Sequence, residues 1–105
     1  MKLHLLVRPE AEADVSGAFT WYEKQMKGLG RSFLNSLDKA FHSIQIHPTR
    51  FPMVHKNVRR SLLHRFPYAI FFLREEESII VIAILHQARD PRRWKIRYVP
   101  RSRRS

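Results

Sequence analysis

From Ala11 to Met26 apolar residues return at spacings of three and four (Ala11, Val15, Ala18, Phe19, Tyr22, Met26), which predicts an amphipathic helix with one greasy face. Pro9 suits the first turn of that helix, and Glu10, Glu12 and Asp14 set negative charge at its positive end. Gly28 and Gly30 punctuate the chain around Leu29. The helical spacing then resumes through Phe33, Leu37, Ala40, Phe41 and Ile44 and stops at His47-Pro48, because proline cannot continue a helix. Two such helices joined by a tight turn make a hairpin, and neither greasy side can stand in water uncovered.

The cover has a different period. Residues 3–7 alternate as a short strand, and a proline-punctuated connection (Pro48, Pro52) over residues 48–57 leads into strands predicted at 58–66, 68–74 and 78–85. Glu75-Glu76-Glu77 is too short for a crossover, so the last two strands form an antiparallel hairpin. The run Ile79–Leu85 has no polar alternation and predicts an interior strand covered at least in part on both faces. The expected fold is α+β, in the order β-α-α-β-β-β, an antiparallel sheet with a helical hairpin packed on one face. Residues 1–98 form a single domain in this reading, with 92–98 a short helix or extended segment. The basic stretch 99–105 is expected to be a disordered tail.

Composition narrows the function classes. A chain of 105 residues with 44% hydrophobic and 28% charged residues is one ordinary globular domain. It has no cysteine, which excludes disulfide staples, zinc fingers and thiol nucleophiles and fits a reducing cytoplasm. The N-terminus lacks the apolar length and small-residue site of a signal peptide. The seven apolar residues Ile79–Leu85 fall far short of the roughly 20 needed to span a bilayer, so no membrane association is expected. Net charge is +11, from 20 Lys+Arg against 9 Asp+Glu. Such a field attracts polyanions, whether nucleic acid or an acidic protein. The charge is uneven: four acids, Glu10, Glu12, Asp14 and Glu23, lie near the start, while residues 87–105 carry eight Lys/Arg against Asp90 alone.

Several residues in order resemble the RelE/ParE superfamily of toxins. They are the Pro9-Glu10-Ala11 opening of the first helix, Trp21-Tyr22, Gly28-Leu29-Gly30, Phe33, His47-Pro48 and Arg65-Phe66-Pro67-Tyr68. The fullest is His86-Gln87-Ala88-Arg89-Asp90-Pro91-Arg92-Arg93-Trp94, most typical of ParE-like members. The resemblance spans about residues 3–95. It implies a cytoplasmic, growth-inhibiting toxin neutralised by an acidic cognate antitoxin. ParE-like members are associated with inhibition of DNA gyrase; RelE-like members cut messenger RNA on the ribosome. Fold cannot choose between them.

Metal-independent RNA cleavage would need a base, an acid and cations around the phosphate. Arg65, His86 and Arg89 are the candidate catalytic residues for that chemistry. The positions where RNA-cleaving relatives keep further proton carriers hold Met53-Val54-His55-Lys56-Asn57 and Gln87-Ala88, which favours stoichiometric binding instead. In that reading Arg89, Arg93 and Trp94 carry target binding. Three of these residues have a structural alternative: His86 as a hydrogen-bonded strand-end histidine, Arg65 as partner of one of Glu75–Glu77, Trp94 as a core plug. The other histidines (His4, His42, His47, His55, His64) show no metal-ligand spacing, and neither a metal site nor a cofactor is expected. The reading is thus a ParE-like toxin. A ribosome-dependent endoribonuclease is the first alternative, and a basic nucleic-acid-binding module without toxicity the second.

Overall fold

The Ile79–Leu85 run becomes the inner part of strand β5 (Ser78–His86), and the rest of the molecule is arranged around it. A computed structural model describes residues 2–88 and 92–98. In chain order these hold β1 (His4–Val7), helices α1 (Pro9–Gln25) and α2 (Leu29–Ile46), a single 3-10 turn (Pro48–Arg50), β2 (Met53–His55), β3 (Val58–Leu62), β4 (Tyr68–Glu75), β5 and a short helix α3 (Arg92–Arg97). The predicted tail 99–105 and the Arg89-Asp90-Pro91 part of the last motif lie outside the described residues.

The strands form one sheet in the order β1-β5-β4-β3-β2. The expected α+β order is present: the helical hairpin follows the first strand, and β2 to β5 run antiparallel in sequence. β1, however, pairs parallel to β5, with Leu5 opposite Ile79 and Val7 opposite Val81, so the sheet is mixed. Four alternating residues carry no information about direction. It is set by the helical hairpin, which takes the chain out from β1 before the sheet is built back towards it. The 48–57 connection contains β2, too short and too bulged to leave a period-two trace. The strand expected over 58–66 ends at Leu62, because Leu63 donates back to the Tyr68 carbonyl and the chain turns through 63–67.

Both sheet faces are covered. On one, Phe33, Leu37 and Ile44 of α2 and Ala11, Ala18 and Tyr22 of α1 pack on Ile70, Phe72, Ile79, Val81 and Ile84. On the other, Phe71, Leu73, Ile80, Ile82 and Leu85 lie beneath Trp94 of α3. Phe71 and Trp94 stack at 4.6 Å with an interplanar angle of 14°, so Trp94 plugs this second core.

The turn between the helices is fixed by one carboxylate. Gly28 takes φ 90°, a left-handed conformation that favours glycine. The Glu23 side chain reaches across the turn to accept from the Gly28 and Gly30 amides at 2.9 and 3.0 Å, filling donors that open α2. Gly30 is needed for space: a Cβ there would meet Phe19 Cδ1 at 2.7 Å and Glu23 Oε1 at 2.8 Å.

Candidate functional site

β1 is shorter than β5. Its ladder ends where the Arg8 amide donates to the Val81 carbonyl at 3.0 Å, and among the described residues β5 continues to His86 with β4 as its one neighbouring strand. At that junction β5 bulges. Phe71 faces Ala83 and Phe72 faces Val81, which leaves Ile82 as the extra residue and increases the local twist.

Side chains take over where the strand stops. Asp14, on α1, accepts the Ile84 amide at 2.9 Å and holds Arg97 of α3 through both carboxylate oxygens, at 2.6 and 3.2 Å. The same guanidinium donates to the Ile82 carbonyl at 3.2 Å, and Arg8 donates to the Arg97 carbonyl at 2.8 Å. The pair is mostly withdrawn from water, with the Arg97 and Asp14 side chains 17% and 10% exposed. A two-pronged Arg–carboxylate contact in such surroundings is geometrically specific.

Beyond this pair lies a groove of about 690 Å³ between α1 and the free half of β5. Asp14 stands in its lining, with Gly17, Trp21 and Tyr22 along α1 and Tyr68 and His86 across from them. Its helix wall is low at Gly17, where an added Cβ would meet nothing within 4 Å. Trp21 is 56% exposed, a large apolar side chain at the rim. Burial pushes the Tyr22 phenol above its usual pKa of 10.0, and charge on the neighbouring Tyr68 would push it further, so Tyr22 is a neutral part of the wall.

A smaller pocket of about 300 Å³ sits towards the α3 face, with Arg60, Lys95, His86 and Gln87 around Phe71 and Trp94. Among the described residues its lining contains no carboxylate. His86 belongs to the edges of both cavities.

The residues singled out in the sequence are spread out. His86 ends β5, packed edge-on against Tyr68 with centroids 5.4 Å apart, and its Nδ1 accepts the Ala88 amide at 3.1 Å. That bond places the proton of a neutral ring on Nε2. Arg65 is exposed in the 63–67 turn and lines neither cavity, whereas His86 lines both. Nor does Arg65 face Glu75–Glu77: β4 runs from Tyr68, just after the turn, to Glu75, about 23 Å at roughly 3.3 Å per residue. Arg93 is exposed on α3 and Trp94 is buried beside it, while Arg89 lies outside the described residues. Sequence reasoning missed Arg97 and Arg60, which looked like members of a general basic excess. It read Asp14 as a complement to the helix dipole. Among the described residues no group of His, Cys, Asp and Glu is placed to hold a metal ion, and no helix is long and apolar enough to cross a membrane.

A sequence profile of the ParE toxin of type II toxin–antitoxin systems (parDE) matches residues 5–91. The chain belongs to the ParE toxin family. A chain from the solved structure of the chromosomal ParDE TA system of P. aeruginosa has the same fold, with a TM-score of 0.72 at 17% identity over 81% of this chain and 96% of that one. No curated protein sequence matches. The family match covers β1 to the end of β5, so both walls of the groove belong to the ParE-like part of the chain.

Proposed function

We propose that this ParE-family toxin inhibits growth by binding its target stoichiometrically, DNA gyrase being the target typical of ParE-like members, and that an acidic cognate antitoxin neutralises it. The observation that carries the reading is the groove beside the unpaired half of β5, on a chain of net charge +11. An extended acidic segment finds an apolar wall to cover there and a favourable field on approach. Binding rather than catalysis is favoured because Arg65 does not join His86 in the lining of either cavity, and general acid–base chemistry needs its partners within hydrogen-bond reach. Target binding is assigned to the basic segment after β5, with Arg93 on its exposed face and Arg89 before it.

Co-expression with the neighbouring reading frame, followed by co-purification in moderate salt, tests the partnership. Gly17→Phe fills the groove from a position with free space and should abolish co-purification while the fold survives. Purified toxin should impair a gyrase supercoiling reaction at near-equimolar ratio and leave ribosome-bound message intact. The pocket lined by Arg60, Lys95 and His86 favours one second reading, RNA cleavage on the ribosome. Codon-specific cleavage by the purified protein, lost in His86→Ala, would establish that reading in place of the first.

A further inference from the structure

The arginines of this chain differ in what they hold. Arg8, Arg59, Arg74 and Arg97 each set the guanidinium on a carbonyl or carboxylate oxygen of the chain itself. Arg60 does not: among the described residues no hydrogen bond or ion pair takes up its side chain. Its partner across the β3–β4 ladder is Phe71, so Arg60 stands on the Trp94 face of the sheet, in the lining of the smaller pocket. Lys95 enters the same lining from α3, with its Nζ 5.9 Å from the centre of the Trp94 ring. His86 and Gln87 close the pocket at the end of β5. Because the Ala88 amide occupies Nδ1, the neutral imidazole keeps an N–H at Nε2 and has no acceptor left. Among the described residues, the Gln87 carboxamide oxygen is the one side-chain acceptor of a lining otherwise made of donors and apolar groups. Solvated cations are ordinary on a basic chain. Two of them in one concave lining, with neutral donors beside them, make a place for an anion.

We propose that this pocket binds a small phosphate monoester, with Arg60 and Lys95 neutralising the phosphate and His86 and Gln87 donating to it. Size, charge and the pocket floor select that class. The cavity is about 300 Å³. That is the low end of the roughly 300–1,000 Å³ range of ligand pockets, enough for a phosphate with one sugar or another small organic group. A terminal monoester carries about −1.5 to −2 charges near neutral pH, more than an internal phosphodiester, and so matches two cations better. The floor argues against a nucleic-acid strand. Phe71 and Trp94 stack on each other and are 8% and 4% exposed, which leaves no ring open for a base to stack on. Binding of this kind does not depend on the toxin reading, and it differs from strand cleavage in leaving its ligand whole. A phosphate held by Arg60 and Lys95 at once ties β3 to α3 across the second core. It thereby steadies the basic segment that carries Arg93.

NMR of the full chain, titrated with inorganic phosphate and with a ribose monophosphate against sodium chloride of equal ionic strength, tests the site. Both phosphates should shift the Trp94 indole, the His86 ring and the Gln87 side-chain amide in one saturable process. Both should also raise the melting temperature beyond the chloride control, because a ligand that binds only the folded chain stabilises it. Arg60→Gln/Lys95→Gln should weaken binding about tenfold or more, through loss of charge-assisted hydrogen bonds. Lys24→Gln/Lys39→Gln removes as much charge from exposed positions on the helical hairpin and should leave affinity within about twofold. Arg60 and Lys95 are exposed, and Lys95→Gln alone should weaken binding in the same direction if the double variant folds poorly. Equal losses in the two double variants would overturn the site, since the attraction would then belong to the whole basic chain. The same saturable shifts in chloride would overturn it too. A short uridine oligomer with hydroxyl ends should bind more weakly than the ribose monophosphate. Tighter binding by the oligomer, with the same resonances shifted, would overturn the monoester assignment and give the pocket to a strand.

Discussion

From Ser78 to Val81, β5 has a strand on each side; from Ile82 to His86 it has β4 on one side and two charged side chains on the other. The first half is secured by backbone ladders that any side chains could support. The second depends on the identity of Asp14 and Arg97, residues on two helices far apart in sequence. Backbone ladders are resistant to single substitutions, whereas a side-chain cap can be removed by one change or displaced by a partner strand. A sheet edge left free is a liability that proteins blunt with charge, bulges or covering elements, and all three occur here within three residues.

The largest effect should come from the doubly paired half. Ile79 is fully buried under the helical hairpin, and Ile79→Ala should cost about 2–5 kcal/mol, read from urea unfolding at constant m-value. Breaking the other half should cost less. Arg97→Ala removes charge-assisted bonds to Asp14 and Ile82 and should lower stability by about 1.5–3 kcal/mol. A double-mutant cycle with Asp14→Ala should return a coupling energy of comparable size; strictly additive losses would mean that the pair is not the tie between the halves. Gly30→Ala tests the hairpin that supports both. Its Cβ would press on Phe19 and on the Glu23 carboxylate, and a melting curve should register a loss of about 1 kcal/mol. The smallest change is a gain. Gly17 lies inside α1 with open space around it, so Gly17→Ala should stabilise by about 0.5–1 kcal/mol in the same assay. A loss there would show that the groove wall is tighter than its geometry indicates.

Much of this was legible one element at a time. The spacing of Phe33, Leu37 and Ile44 named the core face of α2, and the unbroken Ile79–Leu85 run marked an interior strand covered on both sides. The His-x-x-Arg-Asp-Pro-x-x-Trp element pointed to the ParE-like toxins, and the family match bears that out. The site was far less legible. Asp14 is one of three acids in the first turns of α1, and nothing local separates it from Glu10 and Glu12. Its role comes from facing the bulge in β5, 70 residues away in sequence. Arg97 is one arginine in a basic stretch, distinguished only by where α3 places it. Arg65 was expected on a strand, but β3 ends at Leu62 and leaves it in the turn over 63–67.

The sequence by itself determined the elements, their buried faces and the family, because periodicity and caps are local properties that a short window contains. Tertiary structure decided the direction of β1 against β5, the point at which its ladder stops, and which two charges close the gap. Those outcomes follow from how far a helical hairpin carries the chain and from unequal strand lengths. Each is a difference between distant segments that no window of residues records.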